Sequence, residues 1–199
     1  MQTHRSIAPD HRESYRFPVL TKSIRPSLRP SQRLISERMR DDVDDLLQHP
    51  VFLATRHEIH HNIRKSDHLL RAARFAWMIA GIVKANRRTC ARAGLLHDLY
   101  SRLGSWSTHG AIAASVANQM GESQAVCEAI VPHMFPLGPA PKTREGWVLV
   151  VADKVASIAD TISFTVHALS GSSLKQRRML RASDRFIQCG AVEQVQRAA

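Results

Sequence analysis

The stretch "ARAGLLHDLY", Ala91 to Tyr100, constrains this chain most, because an apolar run of small residues ends in adjacent His97 and Asp98. A helix built from Ala, Gly and Leu seeks the core, and whatever stands at its tip is carried there too. Buried imidazole and carboxylate are costly unless paired, hydrogen-bonded or bound to a cation. Partners for this pair must therefore come from other segments.

Those segments read as helices. "LISERMRDDVDDLLQHP" has apolar residues at helical spacing and stops before Pro50. Ser66 is the expected N-cap of a long helix running to about Ala85, and Thr89 that of a shorter helix ending near Leu96. Thr108 is expected to cap "HGAIAASVANQM", and Gly121 separates that helix from "ESQAVCEAIVPHM". The proline-rich "FPLGPAPKTR" reads as a loop. A last core helix covers "EGWVLVVADKVASIADTIS", and Gly171 to Ser173 break the chain before one or two basic helices. No β-alternation and no internal repeat stands out, so the expected fold class is all-α. The expected organisation is an irregular, proline-interrupted basic leader over 1–33, a core over 34–170 and a basic helical extension over 171–199.

Placed on these helices, further polar residues become candidates. His68 falls in the first turn of the long helix, on the face that carries Ala72, Phe75, Ala76 and Ile79. His109 opens the helix after the His–Asp turn, and His133 closes the helix before the proline-rich loop. Asp153 stands inside "WVLVVADKVAS", where a lone carboxylate among valines is expensive without a cation. Asp160, seven residues on, shares that helix face. Asp153 is the expected ligand because the apolar run flanks it, and Asp160 a surface or supporting carboxylate. His68, His97, Asp98, His109, His133 and Asp153 thus suit a metal site inside a helix bundle. Mixed imidazole and carboxylate donors point to divalent Mn, Fe, Co, Ni or Zn rather than Ca.

The pieces "DHLLRAARFA", "ARAGLLHDLY", "STHGAIAA", "IVPHMFPL" and "LVVADKVASIAD" resemble the HD superfamily of metal-dependent phosphohydrolases, over about residues 57–162. The resemblance implies a helical HD-domain bundle with His68, His97, Asp98 and Asp153 on a first metal ion. Because the two extra histidines are similar to those of dinuclear HD enzymes, it also implies a second ion held by His109 and His133, with Asp98 bridging. Many dinuclear members carry a lysine three residues after the HD aspartate. Here that position is Ser101, followed by Arg102, so those relatives' substrate is not carried over. The activity implied is hydrolysis of a phosphate ester or anhydride, of a nucleotide or related small molecule, by water that the two ions activate.

Cationic side chains near the ligands would balance the phosphoryl charge. Asp98, Arg102 and Lys154 are the expected catalytic residues, and His61, Arg64 and Lys65 the expected substrate contacts. In "RHEIHH", His57 and His60 read as solvated. Trp106 is read as a base-stacking or core residue, and "PLGPAPK" as a rim or a simple connection.

Charge adds a second class of function. Of the net +11, residues 1–33 contribute +5 and residues 171–199 contribute +4, which leaves +2 for the middle. Basic ends of this kind suit weak contact with nucleic acid or an anionic partner. A non-catalytic, metal-stabilised nucleic-acid or partner-binding protein is therefore one alternative. The other, implied by resemblance in ligand set, is a di-iron oxygenase of the HD type. The longest apolar run, "FAWMIAGIV", is far short of a bilayer span, and no apolar secretory region opens the sequence. Asp10, Glu13 and the prolines argue against a transit peptide. Cys90, Cys127 and Cys189 form no CxxC pair and read as reduced thiols, so the expected location is cytoplasmic.

Overall fold

A computed structural model describes residues 35–60 and 63–169, together with 178, 179, 181 and 182. The expected leader over 1–33 and nearly all of the expected extension over 171–199 lie outside the described residues.

Helix α1 (Glu37–Gln48) buries Met39, Val43, Leu46 and Leu47, one apolar stripe at helical spacing, and Ser36 caps it by accepting from the Met39 amide. Pro50 opens the short α2 (Pro50–Ala54), where a missing amide hydrogen costs nothing. Beyond a 3-10 turn at Thr55–His57 comes a feature the sequence pattern does not announce. Strands β1 (Ile59–His60) and β2 (Ile63–Arg64) pair antiparallel, with Ile59 opposite Arg64. Two residues per strand are too few to leave an alternation pattern, and the fold remains a helical bundle.

Helix α3 (Lys65–Val83) follows the hairpin directly, with Arg64 at its N-cap and no side-chain cap. Ser66 is therefore buried within the first turn and is not the cap expected from its type. The Lys65 amide donates to the Glu58 carbonyl at 2.8 Å, so the hairpin's own backbone sets where the helix begins. Lys84 closes α3 in the left-handed conformation at φ 55. Helix α4 (Arg87–Leu96) is capped by Asn86, whose side chain accepts from the Thr89 amide; Thr89 itself is two residues inside. Helix α5 (His109–Gln119) does follow Thr108, but that hydroxyl accepts from the Ser105 amide at 2.8 Å and leaves the helix end without a side-chain cap. Gly121, at φ +85, turns the chain into α6 (Gln124–Ile130). The proline-rich loop then leads to α7 (Arg144–Leu169), longer at both ends than its apolar pattern suggests.

Two cores result. The larger unites α1, α3, α4, α5 and α6 around Met39, Leu69, Leu95, Leu99 and Ile130; the smaller joins Ala76, Ala80, Cys90, Val148 and Ala152. Small residues decide how close the helices come. A methyl group on Gly94 would sit 2.5 Å from the Ala73 Cα, so α4 crosses α3 backbone to backbone. One on Gly110 would sit 2.5 Å from the Val131 carbonyl oxygen, so the start of α5 meets the end of α6 in the same manner. These two close approaches bring the polar residues of separate helices into one place. Among the described residues, no helix is long and apolar enough to cross a membrane.

Candidate metal centre

Four histidines reach the centre with the same orientation. His97 Nδ1 donates to the Gly94 carbonyl at 2.9 Å, His133 Nδ1 to the Ile130 carbonyl at 2.8 Å, and His109 Nδ1 to the Ser105 carbonyl at 2.9 Å. His68 Nδ1 donates to Asp160 Oδ2 at 2.6 Å. Carbonyl and carboxylate oxygens only accept, so each Nδ1 carries a proton and each ring turns its Nε2 inward. Second-partner hydrogen bonds of this kind orient imidazoles that bind metal.

Inside this shell the donors fall into two groups of three, each with its ligand atoms within 4.8 Å of one another: His68, His97 and Asp153, and Asp98, His109 and His133. In the first, Asp153 Oδ1 lies 3.2 Å from His68 Nε2 and 3.5 Å from His97 Nε2. In the second, His109 Nε2 lies 3.5 Å from Asp98 Oδ1 and 2.9 Å from His133 Nε2. Two imidazole lone pairs facing each other at that distance repel unless a proton or a cation lies between them. Burial pushes the His133 imidazole down to about 3, so with Nδ1 protonated its Nε2 offers a lone pair near neutrality. The donor set, its orientation and its charge therefore fit divalent cations.

The carboxylates are ionised despite burial. Burial alone would raise Asp98, yet His60, Lys65 and His97 hold it well below the usual carboxylate range. Asp153 is held low against the same penalty by the His68 and His97 imidazoles beside it. Supporting pairs surround the ligands. Asp160, wholly buried, receives His68 on one oxygen and pairs with Arg71 on the other. Asp160 is thus a supporting carboxylate beneath His68, and no helix-surface group.

The other expected site residues divide. Arg102 and Lys154 line a cavity of about 490 Å³ that opens over Asp98, His109, His133 and Asp153, with Trp106 and Phe135 on its walls. Arg102 also donates to the Ile59 carbonyl at 2.8 Å, and Lys154 to the His133 carbonyl at 3.2 Å. Lys65 does not face the cavity as a substrate contact would. Its side chain is 1% exposed, and its ammonium binds Glu58 at 3.0 Å and Ser101 Oγ at 3.0 Å, and lies 4.0 Å from Asp98 Oδ2. Its charge is spent inside the protein, next to the position where many dinuclear enzymes carry their own lysine. Arg64 sits on β2 and is not among the cavity-lining residues. His61 lies outside the described residues.

One residue read as solvated belongs here instead. His60 lines the cavity and places Nδ1 2.9 Å from Asp98 Oδ2, while His57 is exposed. The cluster "RHEIHH" holds the signal, but choosing among its histidines requires the hairpin register, because neighbours on a strand face opposite ways.

Comparison with known proteins agrees with this geometry. Residues 66–158, which carry all six ligand candidates, match the HD domain family. The chain carries an HD domain. An HD domain indicates the metal-dependent phosphohydrolase superfamily, and HD domains bind divalent metals. Over 126 residues this HD-domain chain is 33% identical to Ribonuclease Y of Cutibacterium acnes (strain DSM 16379 / KPA171202), an alignment covering 62% of the chain and 21% of that protein. The HD-domain chain therefore spans about a fifth of the length of the relative it matches. No solved structure matches it significantly.

Proposed function

We propose that this HD-domain chain hydrolyses a phosphate ester or anhydride of a nucleotide or related small molecule, using two divalent transition-metal ions. The observation that carries the reading is the pair of three-residue donor groups beneath a cavity lined by Arg102 and Lys154. One ion would belong to His68, His97 and Asp153, and the other to Asp98, His109 and His133. Ions held there supply Lewis acidity toward water and toward phosphate oxygens.

The chain's own groups do the rest. Arg102 and Lys154, exposed on the cavity wall, meet the negative charge of the phosphoryl group. The wall of Trp106 and Phe135 gives a flat ring something to lie against. Lys65, locked between Glu58 and Ser101, lends positive potential to Asp98 without reaching substrate.

The test is a phosphatase and phosphodiesterase screen on metal-stripped protein, with Mn, Fe, Co, Ni or Zn added back. Hydrolysis should require added metal, and Asp153→Asn should lose at least 10²-fold in rate, in keeping with removal of a charged ligand. Metal-independent turnover, or none with any phosphate ester, would defeat the reading. An RNA phosphodiester belongs in the same screen, because the matching relative is named a ribonuclease and the two chain ends carry +5 and +4. Steeply salt-dependent RNA binding with metal-dependent cleavage would select RNA as the substrate; binding without cleavage would select a non-catalytic role.

A further inference from the structure

Helix α7 buries one side in the bundle and carries a second apolar side outside it. From Trp147 the exposed apolar residues run Val151, Val155, Ile158, Ile162, Val166 and Leu169. The steps are 4, 4, 3, 4, 4 and 3, so the pattern repeats after 11 residues and keeps to one stripe along the helix. At 100° per residue, Asp153 and Asp160 fall on the opposite side, so the stripe is no part of the metal centre. After Asp160 no described residue of α7 is buried. A helical end without tertiary packing is marginal in water, so this one calls for something laid against it.

Helix α3 widens the face at its C-terminal end, where Ile82 and Val83 are exposed. Ile79 and Val83 form with Trp147 and Val151 a groove of about 300 Å³, with Arg144 also lining it. At ordinary side-chain areas the exposed parts of the stripe and of Ile82 and Val83 amount to on the order of 1,000 Å². That exceeds the roughly 300–600 Å² of the largest apolar patch on a typical monomer, and it matches the about 800 Å² per partner of a stable interface.

Charge decides what fits. Lys84, next to Val83, and Arg144 are both exposed at the groove. Residues 171–199 carry +4 and would meet like charge there, whereas Thr161 to Leu169 contain no Asp, Glu, Lys or Arg. The neutral, apolar end of a second α7 therefore suits the groove better than the chain's own basic end does.

We propose that this face joins two copies of the chain, with their α7 helices antiparallel across a two-fold axis at Ile158. In that register Ile158 meets the partner's Ile158, Val155 the partner's Ile162, Val151 the partner's Val166 and Trp147 the partner's Leu169. The stripe thus matches itself to within one residue from either direction, as an isologous interface requires. The interface stands apart from the proposed reaction and does not rest on it.

The test is sedimentation velocity on the full chain across a wide range of concentration, with circular dichroism to check folding. Wild type should sediment as a dimer at the higher concentrations. Ile158→Glu sets two carboxylates face to face at the axis and Ile158→Lys two ammonium groups, so each should raise the dimer dissociation constant about 100-fold or more. Mixing the two variants should restore a dimer, because the opposite charges then meet across the axis. Wild type that stays monomeric would overturn the proposal in favour of residues 171–199 covering the face. A dimer that Ile158→Glu leaves intact would overturn it as well, and so would variants that do not pair on mixing. Should Ile158→Glu lose its helical signal, Leu169→Lys decides in its place: it sets an ammonium against Arg144 and should weaken the dimer about 10-fold or more, and an unweakened dimer would sink the proposal.

Discussion

Asp160 Oδ2 accepts from His68 Nδ1 at 2.6 Å, at the bottom of the metal centre, while Arg71 holds the other oxygen of the same carboxylate. The pairing turns His68 Nε2 toward Asp153, one turn pair earlier on α7, so the two aspartates of one helix face do different work.

Asp153→Asn should therefore abolish binding of the first ion, because it removes a ligand charge. Asp160→Asn keeps an acceptor for His68 and should weaken that ion by about 10- to 100-fold, without abolishing it. Equilibrium dialysis with Mn²⁺ on both variants is the check. The reverse ranking would mean that the ligand and its support have been exchanged.

The second donor group should titrate separately. His133→Ala removes one of two lone pairs that meet at 2.9 Å, so the bound-metal count should fall from two per chain toward one. His97→Ala should instead spare the group of Asp98, His109 and His133. Loss of all metal from His133→Ala would show that the two groups act as one site.

Gly94→Ala tests whether helix approach sets ligand geometry. The added methyl meets backbone at 2.5 Å, which no side-chain rotation relieves, so α3 and α4 must separate. Overpacking of this sort costs about 1–3 kcal/mol, larger than the roughly 1 kcal/mol that Ala gains over Gly in a helix. His68 and His97 ride on these two helices, so the variant should melt lower and gain less from added Mn²⁺ than wild type. An unchanged metal-induced shift in Tm would disprove the link.

Arg92 gives the bundle a pH-dependent clasp away from the centre. Its guanidinium takes both oxygens of Asp45 at 2.7 Å and also grips the buried Glu122, tying α1 and α4 to the turn before α6. Removing one partner of a buried ion pair costs about 3–5 kcal/mol, so Arg92→Ala should be among the most destabilising changes distant from the site. The Asp45 carboxyl is held below its ordinary 3.8 chiefly by its hydrogen bonds from Arg92. A lowered folded-state value stabilises above the unfolded value and is lost as pH falls through the folded one. Urea unfolding at pH 7 and pH 3 should therefore show the gap between wild type and Arg92→Ala narrowing in acid. A gap that widens in acid would exclude this clasp.

How much of this was legible in the chain itself depends on range. Helical periodicity, Pro50, Gly121 and the apolar run around Asp153 are local facts, and they suffice for the helical fold class and for six donor residues drawn from separate helices. An ionisable residue embedded in an apolar helix announces a buried partner, whatever that partner is. Three things needed the tertiary structure. The caps of α3 and α4 went to Arg64 and Asn86 because the preceding hairpin and turn fix where each helix begins, which propensity does not register. Lys65 proved to be a buried partner of Glu58, since a lysine's sequence neighbours do not reveal which way its long stem runs. The choice of His60 from "RHEIHH" depended on strand register, and the partition of the six donors into two groups depended on how closely Gly94 and Gly110 let helices approach. Residue types fix which groups can bind a cation; the distances between chains far apart in sequence decide which of them meet.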